Sequence, residues 1–151
     1  MEGQIAIVET WSPANRTLDI TVIAETLDEI VDKIGLVKHG DARIITYDPI
    51  PLHPLLVQYV KLPKNEIEGG LSVLQPLEES YIAMDFWTDV YYRLLLEKKI
   101  DKSVPEFVYG NIVLNSCKKF DPNVIIRVLE RNFLAWKTKV KVFRYTGNPA
   151  D

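Results

Sequence analysis

A carboxylate and a hydroxyl stand side by side at Glu79-Ser80, and the chain's only thiol follows at Cys117. The hydroxyl is a potential nucleophile. The thiol is a potential acid, with a reference pKa of ~8.5 that its surroundings can lower. Gln75-Pro76 reads as a turn that feeds Glu79-Ser80 into a short strand, Tyr81 to Trp87, ending on an aromatic pair. Within that strand Asp85 is a carboxylate, which accepts a proton when ionised but has none to give. Tyr81 is a weak acid with a reference pKa of ~10. Phe86, Trp87 and Tyr91-Tyr92 have the faces to stack on a purine or a sulfonium, although such rings are more often core. Taken singly these signals are bland. Glu-Ser pairs are common in turns, a lone Cys is usually a small buried hydrophobe, and Asp85 is an ordinary strand-end acid. Their order gives them weight, because Asn115-Ser116-Cys117 is followed by Asp121-Pro122 and an amphipathic helix.

In that order the residues resemble the core of the bacterial and archaeal S-adenosylmethionine decarboxylases, pyruvoyl enzymes of polyamine synthesis. The family carries Glu-Ser-His, a short strand, His-Thr-Trp-Pro-Glu, a strand ending Thr-Cys-Gly, then Asp-Pro and a helix. Glu79, Ser80, Trp87, Cys117, Asp121 and Pro122 match it. Tyr81 and Asp85 stand where the family has histidines, and Phe86, Thr88 and Asp89 replace Thr, Pro and Glu. The likeness is best over Glu68 to Tyr145, and the segment from Trp87 to Cys117 is longer than in the family.

The resemblance implies a chain cut between Glu79 and Ser80. Ser80 would become a pyruvoyl group, an electron sink that replaces a bound cofactor. Cys117 would be the proton donor, Asp85 the stand-in for the processing histidine, and Tyr81, Phe86 and Trp87 the residues at the substrate. A histidine can hold or release a proton near pH 7. Asp85 could do so only if burial raised its pKa strongly, and an ionised carboxylate would repel the oxyanion of the acyl shift. The first reading is therefore a decarboxylase-like protein of polyamine biosynthesis that has lost self-processing and keeps a binding or regulatory role. It would bind a small molecule and act as a homodimer or beside an active paralogue. The alternatives are an active pyruvoyl decarboxylase of S-adenosylmethionine or arginine, and a small α+β binding or assembly module without chemistry. A pyruvoyl group from Ser80 is expected only if the chain processes itself; no other cofactor is implied.

The elements that must position these residues follow from pattern. Gln4 to Thr10 is apolar and β-branched, a first strand, and Trp11 to Arg16 reads as a turn. Thr17 to Ala24 alternates Leu18, Ile20 and Val22 with polar residues, which predicts a half-buried strand. Thr26 then looks like a helix N-cap, with Leu27, Ile30, Val31 and Ile34 on one face and Gly35 as the stop. His39-Gly40-Asp41 is a loop, and 42–47 another strand. Three prolines make 48–54 a stiff connection. Leu55 to Leu62 has a strand pattern, and Pro63 to Glu66 turns the chain. Leu71 to Leu74 is a short strand before Glu79-Ser80. Val90 to Leu96 fits strand or helix. Phe107 to Leu114 is the strand that delivers Cys117. Asp121 caps a helix with Pro122 in its first turn, and Val124, Ile125, Val128, Leu129, Phe133 and Trp136 form its buried stripe. Thr138 to Tyr145 is a final alternating strand. Strands outnumber helices, which predicts a single α+β domain over 1–151: a two-layer sandwich, a largely antiparallel sheet with helices on one face.

Bulk composition narrows the function classes. Apolar residues at 47% and charged residues at 26% fit one hydrophobic core rather than a disordered chain. Net charge is −3, so no basic field draws the chain to nucleic acid or anionic lipid. One cysteine cannot form an internal disulfide, which suits a reducing cytoplasm, and no signal peptide or membrane-length apolar run is read. Two histidines and one cysteine are too few for a zinc site. His39 and His53 read as loop histidines.

Overall fold

The computed structural model describes residues 2–59 and 65–150. The strands are β1 (Gly3–Ser12), β2 (Arg43–Thr46), β3 (Ile50–Pro51), β4 (Glu66–Ile67), β5 (Leu71–Leu77), β6 (Ser80–Trp87), β7 (Val108–Ser116) and β8 (Lys137–Tyr145). The helices are α1 (Ala14–Thr17), α2 (Ile20–Ile34), α3 (Val90–Leu96) and α4 (Pro122–Phe133). Six strands form one sheet in the order β2-β5-β6-β7-β1-β8, with every pairing antiparallel. This is the α+β arrangement expected, with helices packed on the sheet. The first strand lies between β7 and β8, pairing Gln4 with Ser116 on one side and Gly3 with Tyr145 on the other.

Period-two alternation sets the faces. Val8, Val73, Ile82, Met84, Phe86, Ile112 and Leu114 point to one side, where they meet Ile23, Leu27 and Ile30 of α2 and Ile125, Val128, Leu129 and Phe133 of α4. Each such buried side chain contributes roughly 1.5–3 kcal/mol. The opposite face carries Tyr81, Ala83, Asp85 and Trp87 of β6, with Asn115, Val113, Asn111 and Tyr109 beside them in β7. Tyr81, Trp87 and Leu74 are exposed there. A second cluster, Leu52, Leu56, Ile67, Tyr91, Tyr92, Leu95 and Phe107, packs against Trp11 and Tyr109 at one end of that face.

Several expectations need correction. The span 17–24 is not a strand. Asp19 caps α2 by accepting from the Thr21 and Val22 N–H groups, and Val22, Ile23 and Thr26 begin the buried stripe that Leu27, Ile30 and Val31 continue. Thr26 is thus an interior residue, its hydroxyl bonded to the Val22 carbonyl. Trp11 and Ser12 belong to β1, and part of the expected turn is the single helical turn α1. Gln75-Pro76 lies inside β5; the chain turns at Glu78-Glu79. Pro54–Tyr59 is a 3-10 turn rather than a strand, started by His53, whose Nδ1 accepts from the Leu55 N–H. The rest of that expected strand, from 60, and Pro63-Lys64 lie outside the described residues. Val90–Leu96 resolves to helix because it buries Tyr91, Tyr92 and Leu95 on one side. Trp136 lies beyond α4, which ends at Leu134 with φ 55°, and is half exposed.

Candidate functional site

The β5–β6 hairpin brings Glu79-Ser80 to the end of the sheet. Leu77 pairs with Ser80, leaving Glu78 and Glu79 as a two-residue loop. Glu79 sits at φ 58°, a left-handed conformation that costs a non-glycine residue ~1 kcal/mol or more. The strain therefore lies in the residue just before Ser80. The next strand brings Cys117 alongside. Its backbone N–H donates to Ser80 Oγ at 3.0 Å. Ser116 fixes this corner, since its hydroxyl donates to the Lys118 carbonyl at 2.7 Å and accepts from the Lys118 N–H at 3.1 Å.

The segment after α2 closes the site from the other side. Gly35, at φ 70°, ends the helix. Val37 then accepts from the Glu78 N–H at 2.9 Å, and the His39 N–H donates to the Pro76 carbonyl at 3.0 Å. Lys38 forms a bridge with Leu77, and Gln75 Nε2 reaches the Gly40 carbonyl at 3.0 Å. Lys118 Nζ donates to the Gly35 carbonyl at 3.0 Å. These bonds frame a cavity of about 590 Å³, lined by His39, Glu78, Glu79, Cys117 and Lys118 among others. Ser80 is not a lining residue but is bracketed by two that are. The cavity mixes two carboxylates, an ammonium, an imidazole and a thiol, a donor and acceptor set suited to a small polar ligand.

The structure brings Ser80, Glu79 and Cys117 together. It does not bring Asp85 to them within the chain. Ser80 shares the parity of Ile82, Met84 and Phe86, whereas Asp85 points to the opposite face, five residues on and roughly 16 Å along the strand. There Asp85 Oδ1 accepts from Ser72 Oγ at 2.5 Å, and that hydroxyl meets the Tyr47 hydroxyl at 2.8 Å. The residues expected at a substrate divide in the same way. Tyr81 and Trp87 are exposed on the open face, at 38% and 40%, so a ligand there could touch them. Phe86 is fully buried against Phe133, ring centres 5.4 Å apart, and cannot touch a ligand.

Trp87 stacks on Tyr109 at 5.5 Å and 12°. Burial, and then the hydrogen bond to Glu9, push the Tyr109 hydroxyl up to about 12. Among the described residues no group of three or more His, Cys, Asp and Glu could hold a metal ion. His53 lies away from the cavity in its 3-10 turn, whereas His39 lines it. Sequence reasoning missed Lys118, Glu78 and the role of the segment after α2. It also missed the Ser72–Asp85 pair, whose signal was the alternation of Leu71 and Val73 with Ser72 and Leu74.

No family model matches the chain, and no curated protein matches it. Among solved structures, the crystal structure of the adenosylmethionine decarboxylase from Aquifex aeolicus VF5 matches with a TM-score of 0.56 and 12% sequence identity. The match covers 93% of this chain and 88% of that one. The fold is that of an adenosylmethionine decarboxylase. At this identity the likeness establishes architecture alone, so the resemblance read from Glu79, Ser80, Trp87 and Cys117 is met at the level of the fold. Within this fold the Cys117 N–H meets the Ser80 hydroxyl at the sheet's end. No helix among the described residues is long and apolar enough to cross a membrane.

Proposed function

We propose that this chain is a divergent relative of the S-adenosylmethionine decarboxylases that works uncleaved, as a ligand-binding or regulatory protein linked to polyamine biosynthesis. One observation carries the reading: Ser80 and Cys117 touch, while Asp85 lies on the other face of β6. Cleavage at Glu79-Ser80 requires the hydroxyl to attack the Glu79 carbonyl and a donor to steady the oxyanion. Here the hydroxyl accepts from the Cys117 N–H, and the residue at the processing position is an acceptor bonded to Ser72. Ser80 is a suitable precursor for a pyruvoyl group and Cys117 a suitable proton donor beside it. The set lacks a proton donor at the processing position, where Asp85 lies on the other face. Without cleavage, the cavity between Glu79, His39, Cys117 and Lys118 is the ligand site.

A homodimer goes with this reading. The open face exposes Leu74, Tyr81 and Trp87, and a second copy of the sheet would cover them. Leu74→Glu should then give monomers by sedimentation.

A second reading, the active self-cleaving decarboxylase of S-adenosylmethionine or arginine, is favoured by the positive φ of Glu79 and by His39 and Cys117 sharing one cavity. Intact mass under denaturing conditions separates the two. The first reading expects one full-length mass, fresh and after long incubation. Two fragments divided between Glu79 and Ser80 overturn it. A thermal melt with S-adenosylmethionine or spermidine then tests the ligand class: a raised midpoint supports the polyamine link, and no shift with either removes it.

A further inference from the structure

The β8 strand ends the sheet. Among the described residues it pairs only with β1, so every second N–H and C=O along its nine residues faces outward with no strand against it. Its sequence, Lys137-Thr138-Lys139-Val140-Lys141-Val142-Phe143-Arg144-Tyr145, holds four cations and no carboxylate in a chain of net charge −3. None of the four is in an ion pair among the described residues. Lys137 and Lys139 lie over the Trp11 ring, at 5.3 and 5.7 Å from its centre. Helix α4 meets this strand at Thr138, whose hydroxyl donates to Glu130 Oε1 at 3.1 Å, and Val140 and Val142 on that face and Phe143 on the other are exposed. Lys137, Lys139 and Lys141 share one face, roughly 7 Å apart, which is the repeat of side chains along one face of any facing strand.

We propose that the free edge of β8 accepts an extended segment of a partner protein in which acidic and apolar residues alternate, added as a seventh strand. Main-chain bonds supply the attachment. The partner's carboxylates meet the lysine row, and its apolar side chains cover Val140 and Val142. Charge selects this occupant over a second copy of the chain. Lysines on an edge strand disfavour pairing with the same edge, and antiparallel self-pairing centred on Lys141 would set that lysine against its own counterpart. An acidic strand turns the same row into attraction.

The test titrates the full, isotope-labelled chain at low salt with a nonapeptide of alternating glutamate and valine, reading amide exchange residue by residue. A lysine–valine nonapeptide is the control. Alternate amides within Lys137–Tyr145 should gain protection, and binding should weaken as salt rises. The variant Lys139→Glu/Lys141→Glu should bind the glutamate peptide about tenfold more weakly, because two exposed attractions become repulsions, and should gain affinity for the lysine peptide. If that variant does not fold, Lys141→Gln and the salt dependence of the natural chain give the same answer. The proposal is overturned if the β8 amides ignore the peptide at millimolar concentration, or if both peptides bind alike. Binding mapped to another strand, or β8 amides protected by raising the protein's own concentration, overturns it equally.

Discussion

Phe86 and Trp87 are neighbours that the fold treats in opposite ways, and truncating each tests that division. Phe86 is fully buried, its ring edge-on to Phe133 at 81°. It also occupies the space a side chain at position 110 would need, since a Cβ there would lie 3.0 Å from the Phe86 ring. Phe86→Ala therefore empties a site walled by α4 and β7. Such truncations cost about 3–5 kcal/mol, and the edge-to-face pair with Phe133 argues for the upper part of that range. For a chain of this size each kcal/mol moves the melting midpoint by about 2–4 °C, so the expected fall exceeds about 8 °C. Trp87→Ala loses a half-exposed ring stacked on Tyr109 and should cost about 1 kcal/mol. The assay is urea unfolding of both variants, with the midpoint falling and the slope held. If Phe86→Ala costs less than Trp87→Ala, the assignment of faces along β6 is wrong. If it weakens ligand binding while leaving stability intact, Phe86 is a contact residue after all.

Ser80→Ala removes the acceptor of the Cys117 N–H and should cost about 1 kcal/mol in urea unfolding, with an intact mass lower than the natural chain's by only the lost oxygen atom; a natural chain in two fragments beside an undivided variant would reveal cleavage. Asp19→Ala should cost about 1 kcal/mol, because that side chain caps α2; no loss would mean the helix begins elsewhere. Tyr109 is held neutral in the folded chain up to about 12, against an unfolded value of ~10. Its contribution to stability is present below pH ~10 and fades as pH rises toward 12, and Tyr109→Phe should flatten that part of the stability profile measured by denaturation.

Where local chemistry and tertiary packing agree, the sequence reads well. Asp121-Pro122 opens α4 as expected, with Asp121 Oδ1 accepting from the Asn123 N–H, and Gly35 ends α2 in the left-handed conformation. Strand β8 follows from alternation and β1 from its apolar, β-branched run, and β6 and β7 lie where strands were expected. The span 17–24 failed because Leu18, Ile20 and Val22 alternate by coincidence, while Ile20 ends up half exposed on a helix whose stripe begins at Val22. The Glu78-Glu79 turn carries no glycine, asparagine or proline, so it gave no signal, and Pro76, which did signal a turn, sits in β5 beside the loop carrying His39. At the candidate site, Ser80 and Cys117 were legible from the order of motifs. The face on which Asp85 lies was legible only from parity within β6, and the contribution of residues 35–39 depends on a crossing that no local pattern encodes.

The position of β1 sets a timetable for synthesis. Strand β1, Gly3–Ser12, must lie between two strands that are made much later, Val108–Ser116 and Lys137–Tyr145. Helices α1 and α2 can form early, and the β5–β6 hairpin can close on its own, but β1 has no strand neighbour until Val108, its partner at Ser12, has emerged. Its apolar residues, Ile5, Ala6, Ile7 and Val8, stay without strand partners until then. Long-range pairing of this kind slows folding and leaves the nascent chain open to association. A chain stopped before Lys137 would complete most of the sheet yet present β1 as a bare apolar edge, so truncated products should aggregate rather than merely lose one strand.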